Sequence, residues 1–437
     1  MSASERSVYE EIIIESTVNA SDTVDLRVGV ERLDYYEDVL SPTITAKILV
    51  TTTGDVINGT TVNQGLPLRG GERVSIRIKE NTKTNVPLDF SREGDQLYVS
   101  SISNVITTEN TETFVLNLCS REAISNETSR VPIKFPTSSP ISTSVAKIIK
   151  DYLAHNKPVD IDKTMNKYGF IGNMRKPFTI LTWLASKGVP EMSGDGTAGY
   201  FFYQTKEGYH FKSIDKLIAQ KPVATYYAQD AVGKGREQQG NDRIILSYNV
   251  NRNNDLLKKL RLGTYSSQRA FFNPLNFSFT HPEKGKFSLK DYVSDSNNLG
   301  QKLSLPPIKG SERNLGDIPS RMITGIVDLG TLEEGVSVDE NADPFKYQSQ
   351  TIMRYNLLFT QSISATLPLN SNLRAGDIIE CNFPKTTVKK VKEFDDNQQS
   401  GLYMIKELCH HYDKEGSYTA VKLIRDTFGK YGVNNKK

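Results

Sequence analysis

The sequence predicts a mainly β protein with α+β insertions, built around two similar β-barrel domains. Near both ends of the chain, apolar and polar residues alternate with a period of two, which is the pattern of half-buried strands. One stretch of this pattern occurs twice and keeps its phase. Helical spacing lies between the two barrels, where it predicts a helix/hairpin module and a helix in a peripheral insertion.

The C-terminal segment 367–429 predicts a strand, a loop, a second strand, a turn and a third strand. The apolar residues Ile379, Cys381 and Phe383 alternate with two polar residues. Residues 403–408 and 418–424 flank a polar turn that ends at Gly416, which predicts a β-hairpin.

A second copy of this pattern lies in the N-terminal part of the chain. The turn 68–72 matches 373–377, and residues 97–99 match 402–404 at the same displacement. Residues 68–122 and 373–427 share eight identities, where average composition gives roughly three. A one-residue slip would turn every apolar side chain outward, so the preserved phase favours a duplicated β-module.

Composition shifts and turn residues divide the chain into four predicted regions. The first barrel spans 1–125, a helix–helix–hairpin module spans 126–235, the second barrel combines 236–265 with 360–430, and 266–359 is a peripheral insertion. Local signals predict the following elements: a helix capped by Ser142 or Thr143, a helix from Pro177 to Gly188, a hairpin over 200–211, strands at 244–250 and 256–265, and a helix from Asp343 to about 360.

Composition indicates a globular chain. Its 437 residues are 37% hydrophobic and 24% charged, enough for about three domains. A formal charge of +3 gives no case for a dedicated nucleic-acid binder. Three widely spaced cysteines predict reduced thiols rather than disulfides. The N-terminus lacks a signal-peptide core and no apolar run approaches membrane-spanning length, so we expect no membrane association.

Cys409-His410-His411 with Asp413 is the most suggestive cluster for catalysis or metal binding. Neighbouring residues of a strand point to opposite faces, so the two histidines cannot readily share one metal ion. No spaced ligand partner is visible in the sequence. We therefore expect a structural role for this cluster.

The other candidate sites also favour structural interpretations. Cys119 has no histidine nearby in sequence, and the run 233–235 lacks the spacing of a phosphate loop. The Asp395-Asp396 pair and the lysine-rich stretch 385–392 fit a solvated loop, although the lysines also suit a contact with a neighbouring subunit. We predict no catalytic, cofactor-binding or metal-binding residues, no cofactor, and no enzymatic activity.

The segment LRAGDIIECNFP, followed by SGLYMIKELCHHY and SYTAVKLIRDTFG, resembles the last barrel of the baseplate hub proteins of T-even-type contractile-tailed bacteriophages. SPTITAKILV and LPLRGGERVSIRI are similar to the first barrel of these hubs. The helix–helix–hairpin order is similar to their second module. The resemblance implies tube-type barrels and a homotrimer that adapts the sixfold tail tube to the threefold central spike.

Duplication would give such a trimer six similar modules and a pseudo-sixfold ring, because a heterologous contact closes when its rotation matches the repeat. The resemblance implies four kinds of partner: other copies of the chain, the central spike protein, the tail tube or tube-initiator protein, and baseplate wedge proteins. DNA would pass through the ring without specific binding. The expected location is the virion tail baseplate, after assembly in the host cytoplasm. The candidate ring-module residues are Leu68, Arg69, Gly71, Glu72, Leu373, Arg374, Gly376 and Asp377.

Two alternatives to a structural phage hub stay open at this stage. One is a tail-associated cell-wall hydrolase, which turnover of peptidoglycan would reveal. The other is the hub of a related contractile secretion or bacteriocin system.

Overall fold

A computed structural model of the chain describes residues 4–17, 22–53, 61–80, 82, 85–155, 157–191, 197–228, 241–252, 255–274, 276–279, 285–295, 297–301, 303–308, 310, 312–326, 345–385 and 395–430. The predicted fold class is confirmed, since the chain is mainly β with helical insertions between its strands. None of the helices in these ranges is long and apolar enough to cross a bilayer. The glycine-rich run 233–235, the loop 386–394 and the predicted cap Asp343 lie outside the described residues.

The first module is a β-sheet wrapped around one core. Its strands run in the order β2-β1-β5-β7-β8-β4-β3, with β6 on β5. In β4, buried Ala46, Ile48 and Val50 alternate with more exposed residues, as the period-two pattern predicts. The elements are β1 (Val8–Glu15), β2 (Thr23–Asp25), β3 (Val30–Asp38), β4 (Thr45–Thr53), α1 (Val62–Gly65), β5 (Arg73–Lys79), β6 (Leu88–Asp89), β7 (Leu97–Thr107) and β8 (Thr111–Cys119).

The middle module contains helices packed on the predicted hairpin. Its two longer helices, α3 and α4, bury Ile148 and Leu181 in one core with Phe202 of the hairpin. The elements are α2 (Arg121–Thr128), β9 (Lys134–Phe135), α3 (Ile141–Leu153), β10 (Val159–Ile161), β11 (Phe170–Ile171), α4 (Pro177–Ala185), β12 (Tyr200–Thr205), β13 (Gly208–Ser213) and α5 (Ile214–Ile218).

The second module repeats five strands of the first sheet, with β22-β23-β24-β21-β16 in the order of β5-β7-β8-β4-β3. It differs at one edge, where β14 pairs with β22 in parallel and β1 pairs with β5 in antiparallel fashion. Its strands run β15-β14-β22-β23-β24-β21-β16, and its core contains Ile363, Ile379 and Leu423. The elements are β14 (Ala224–Ala228), β15 (Ile244–Ile245), β16 (Ser247–Arg252), β21 (Gln361–Pro368), β22 (Ile378–Asn382), β23 (Gly401–Asp413) and β24 (Ser417–Arg425).

The insertion between β16 and β21 has its own small sheet. Strand β17 pairs with β18 and β19 in antiparallel fashion and with β20 in parallel. Helix α8 buries Met353 and Leu357 in a core with Phe287. The elements are α6 (Leu256–Leu262), β17 (Ser266–Asn273), β18 (Ser278–Phe279), β19 (Lys286–Ser288), α7 (Leu289–Asp295), β20 (Arg321–Ile326) and α8 (Phe345–Leu357).

Three local predictions were wrong. Residues 256–262 form helix α6 and not a strand, because the Asp255 carboxylate caps the helix by accepting from the Lys258 N–H at 2.9 Å and Gly263 ends it at φ +71°. Helix α3 begins after Pro140, since Ser142 pairs with Thr164 instead of capping. Residues 224–228, assigned to the middle module, form β14 in the sheet of the second module. The division into domains stays a prediction.

Candidate functional site

The two matched turns have the same backbone design. Glu72 accepts hydrogen bonds from the Arg69 N–H at 2.7 Å and the Gly70 N–H at 3.0 Å, and Asp377 accepts from the Arg374 N–H at 2.8 Å. In each turn a carboxylate therefore fixes the backbone three residues before it.

Each turn also contains a glycine in the left-handed region. Gly71 has φ +91° and Gly376 has φ +93°. The Gly71 N–H donates to the carbonyl of Val99 at 2.7 Å, and the Gly376 N–H donates to the carbonyl of Ile405 at 2.8 Å. Equivalent turns are thus anchored to equivalent strands, β7 and β23.

The surroundings of the two turns differ. Leu68 packs against the first core and Arg69 is exposed, while Leu373 is fully buried in the second core. Burial raises the pKa of Asp377 to about 6. The guanidinium of Arg374 lies 3.6 Å from the carboxylate of Glu207 in the middle module.

Strand pairing corrects the proposed match between β7 and β23 by one residue. Arg73 pairs with Tyr98, and its counterpart Ile378 pairs with Met404. Leu97 and Val99 therefore correspond to Tyr403 and Ile405, not to Leu402 and Met404. The two identities at 402 and 403 are coincidental, because the loops before β7 and β23 differ in length by one residue.

Both modules interrupt the same ladder at the same place. The pairing of β7 with β8 shifts between Val99 and Ser101, and the pairing of β23 with β24 shifts between Ile405 and Glu407. A β-bulge re-aims a strand and is characteristic of a particular fold. This shared irregularity supports duplication more strongly than the sequence identities do.

The two modules are joined by one continuous ladder. Residues 407–413 of β23 pair antiparallel with residues 38–32 of β3, from Glu407 opposite Asp38 to Asp413 opposite Arg32. Strand β23 is long enough to serve both modules: Ile405 packs in the second core and Tyr412 in the first. The sheet therefore runs from one module into the other within a single chain.

His411 holds the outer face of this ladder together. Its Nδ1 is hydrogen bonded to Asp34 of β3, and its Nε2 lies 2.9 Å from the carboxylate of Asp413. Burial alone would lower the pKa of His411, but the two carboxylates outweigh burial and raise it. A protonated His411 therefore links β3 and β23 by charge.

The rest of the Cys-His-His cluster lacks activated groups. His410 is fully buried, and burial lowers its pKa to about 3, so it is neutral. Burial raises the pKa of Cys409 to about 12 and that of Cys119 to about 11. Thiols of this kind are protonated at neutral pH and are weak nucleophiles. In the described part of the chain, no three His, Cys, Asp or Glu side chains are grouped to hold a metal ion.

Glu37 connects the first, middle and second modules near the ladder. Its carboxylate is 1% exposed and accepts from the Tyr35 hydroxyl at 2.7 Å. It also accepts from the Lys206 N–H in the β12–β13 turn at 2.9 Å and from the Ala375 N–H in the second module at 3.0 Å. Its position in a strand of alternating residues gave no sign of this role.

A second buried cluster, which the sequence also did not reveal, ties the insertion to the rest of the chain. Arg354 of α8 is fully buried and lies 2.6 Å from Asp215 of α5 and 3.3 Å from Asp426 after β24. Tyr292 of α7 donates to Asp426 at 2.5 Å. Burial alone would lower the pKa of Arg354, but Asp215 and its other partners outweigh burial, so the pKa is raised.

Comparison with solved structures shows the fold class to which this arrangement belongs. A tail protein from Neisseria meningitidis MC58 aligns with a TM-score of 0.52 at 11% identity, over 95% of this chain and 96% of its own. The 43 kDa tail protein of prophage MuSo2 from Shewanella oneidensis aligns with a TM-score of 0.51 at 9% identity, over 96% of this chain and all of its own. The chain therefore has the fold of these two tail proteins.

A third structure is similar to a lesser degree. The E. coli c3393 protein, a component of the type VI secretion system, aligns with a TM-score of 0.45 at 9% identity, over 93% of this chain and 76% of its own. No family model and no curated protein sequence matches the chain.

Proposed function

We propose that this chain is a structural subunit of a contractile-tail baseplate hub. Three copies form a ring of six similar modules that adapts the sixfold tail tube to the threefold central spike. The observation that carries the proposal is the β3–β23 ladder, which sets two equivalent modules side by side in one sheet. The shared fold with two tail proteins supports a place in a phage tail.

Duplication explains how one chain can contact both a sixfold tail tube and a threefold spike. The matched turns and the matched bulge support two modules that are locally alike, so a trimer would offer six similar positions to the tube. The middle module and the insertion occur once per chain, so the same trimer offers only three copies of them. The proposed partners are the tail tube or tube-initiator protein, the central spike protein and wedge proteins of the baseplate.

The ring would continue the channel through which DNA leaves the particle. A channel for DNA in transit works best without tight binding, and a net charge of +3 over 437 residues fits that requirement. A location in the virion tail baseplate, after assembly in the host cytoplasm, belongs to the same proposal.

Two measurements on the purified chain test this proposal. The expected mass in solution is three times the 48.9 kDa of one chain, and end-on averages of the particles should show a ring with six similar lobes. A single chain at every concentration, or a ring with a different number of lobes, would overturn the hub. The tail-borne hydrolase predicts release of peptidoglycan fragments, which the hub does not.

A further inference from the structure

The ladder inside one chain predicts a ladder between chains. Residue by residue, the β3 strand of the first module corresponds to β16 of the second. Tyr35 pairs with Ala46 on β4, and Val250 pairs with Ile363 on β21. Ala46 and Ile363 are equivalent positions, because Ala46 pairs with Leu118 and Ile363 pairs with Leu423, which lies 305 residues further along the chain. Tyr35 and Val250 are therefore equivalent as well. It follows that Tyr36 corresponds to Asn251 and Asp34 to Asn249.

The partner strands correspond in the same way. Ser103 of β7 pairs with Val115, and Cys409 of β23 pairs with Ala420, 305 residues further along than Val115. Ile106 pairs with Thr113, and His411 pairs with Tyr418, again 305 residues further. It follows that Ser103 corresponds to Cys409 and Ile106 to His411. Strand β7 has one extra residue between these two positions, because its pairing with β8 shifts a second time between Ser103 and Ile106, where β23 has no shift.

Two strand edges lack a partner strand in the described part of the chain: the edge of β7 beyond its contact with β5, and the outer edge of β16. Strand β7 pairs with β5 at Leu97 and Tyr98, and the backbone of Val99 is hydrogen bonded to Gly71 and Glu72, so this edge is open from Ser100 onward. Strand β16 pairs only with β21. On β7, Val105 is 48% and Ile106 is 61% exposed. An edge of this kind, with apolar side chains, is a template for pairing with another strand.

We infer that the β7 edge of one copy pairs antiparallel with the β16 edge of the next copy. Ser103 of one copy lies opposite Asn251 of its neighbour, and Ile106 lies opposite Asn249. These pairs repeat Cys409 opposite Tyr36 and His411 opposite Asp34 within the chain, except that the extra residue of β7 between Ser103 and Ile106 forms a bulge in the inferred ladder. The inference rests on the proposed ring and adds the strands and the register that close it.

The ladder within the chain and the inferred ladder between chains differ in the charge of the side chains that face each other. The ladder within the chain has charged pairs across it, including His411 with Asp34 and Lys406 with Asp38 at 2.7 Å. The inferred ladder between chains places an exposed isoleucine against asparagine. It lacks the histidine, so we expect its strength not to depend on the protonation that links β3 to β23.

Paired cysteines test the register directly. The equivalent pairs inside the chain lie directly opposite each other in the ladder, Cys409 with Tyr36 and His411 with Asp34, and the side chains of the second pair are hydrogen bonded. Opposite residues of antiparallel strands are separated by roughly 4.5–5.5 Å between Cα atoms, which is within the range for a disulfide. The double variants Ser103→Cys/Asn251→Cys and Ile106→Cys/Asn249→Cys should therefore crosslink neighbouring copies under mild oxidation.

The matched control is the double variant Ser103→Cys/Val250→Cys. A shift of one residue puts the two thiols on opposite faces of the sheet, so it should not crosslink. The four single variants, which keep the native cysteines, measure the background. Non-reducing denaturing gels should show species of two and three chains for the in-register pairs alone, and circular dichroism checks that every variant is folded.

The outcomes separate this inference from the proposed function. Folded trimers without selective crosslinking of either in-register pair would overturn the β7–β16 ladder and leave the hub standing. Selective crosslinks that extend beyond three chains would support the ladder and overturn the closed ring. A chain that stays monomeric would overturn both.

Discussion

His411 of β23 and Asp34 of β3 lie opposite each other in the ladder that joins the two modules, and their side chains are hydrogen bonded. The histidine is far from Asp34 in sequence, and its second nitrogen contacts Asp413 at the end of the same strand. We therefore expect the stability of the joint between the modules to depend on pH.

Replacing His411 by Gln should reduce stability mainly at low pH. The folded-state pKa of His411 is raised, so its contribution is fully present below the unfolded-state pKa of about 6.5 and is lost as pH rises through the folded-state pKa. Hydrogen bonds to charged groups suggest a loss of about 1.5–3 kcal/mol at acidic pH. Urea unfolding at pH 5.5 and pH 9 measures the free energy of unfolding at both ends.

The control for this prediction is Lys414→Gln. Lys414 forms an exposed ion pair with Glu31, 2.6 Å away, near the same ladder, and such pairs contribute about 0–1 kcal/mol. An equal loss for His411→Gln at both pH values would contradict the role of the protonated imidazole.

Gly376→Ala should be more destabilising than Gly71→Ala. Both glycines have nearly the same positive φ, so the backbone strain of roughly 1–2 kcal/mol is common to both. At Gly376 the added Cβ would lie 2.4 Å from the hydroxyl of Tyr203, whereas at Gly71 its nearest neighbour is 3.8 Å away, on Thr17. Thermal unfolding of both variants measures the difference, and equal melting temperatures would show that the Tyr203 contact relaxes freely.

Arg354→Met should be strongly destabilising. It leaves the carboxylates of Asp215 and Asp426 buried without their cation, for which we expect a loss of about 3–5 kcal/mol. Arg27→Met is the control, because Arg27 pairs with Asp25 at the surface and should contribute less than about 1 kcal/mol.

A double-mutant cycle checks that this loss comes from the ion pair. Adding Asp215→Asn to Arg354→Met should cost less than the sum of the single losses, since the second change removes a carboxylate that the first left unpaired. Strictly additive losses in urea unfolding would argue against coupling.

The native thiols should react slowly with a thiol-specific reagent. A pKa near 11 for Cys119 and near 12 for Cys409 leaves few thiolates at pH 8. Compared with an ordinary cysteine, modification should be slower by roughly two orders of magnitude at Cys119 and roughly three at Cys409. The urea-unfolded chain provides the reference rate. Rapid labelling of Cys409 in the folded protein would indicate an activated thiol and revive the enzyme hypothesis.

The sequence predicted those parts of the fold that depend on local pattern. Alternation identified β4 and β22. The sequence matched the turns 68–72 and 373–377, but it did not indicate that Glu72 and Asp377 each accept from the backbone N–H three residues earlier. Caps explain the main local error, since Asp255 and Gly263 define helix α6 within a segment whose apolar residues suggested a strand.

The joint between the modules was beyond prediction from the sequence. Pairing of β3 with β23 connects residues more than 360 positions apart, and no local pattern specifies which distant edge a strand meets. The same holds for Glu37 and Arg354, whose charges are offset by partners from separate parts of the chain. The one-residue error between β7 and β23 arose because identical letters were matched without the hydrogen bonds that define register.

Because Ile405 of β23 packs in one core and Tyr412 of the same strand packs in the other, we expect the two modules to unfold as one cooperative unit. Peeling away β23 would open both interiors to water at once.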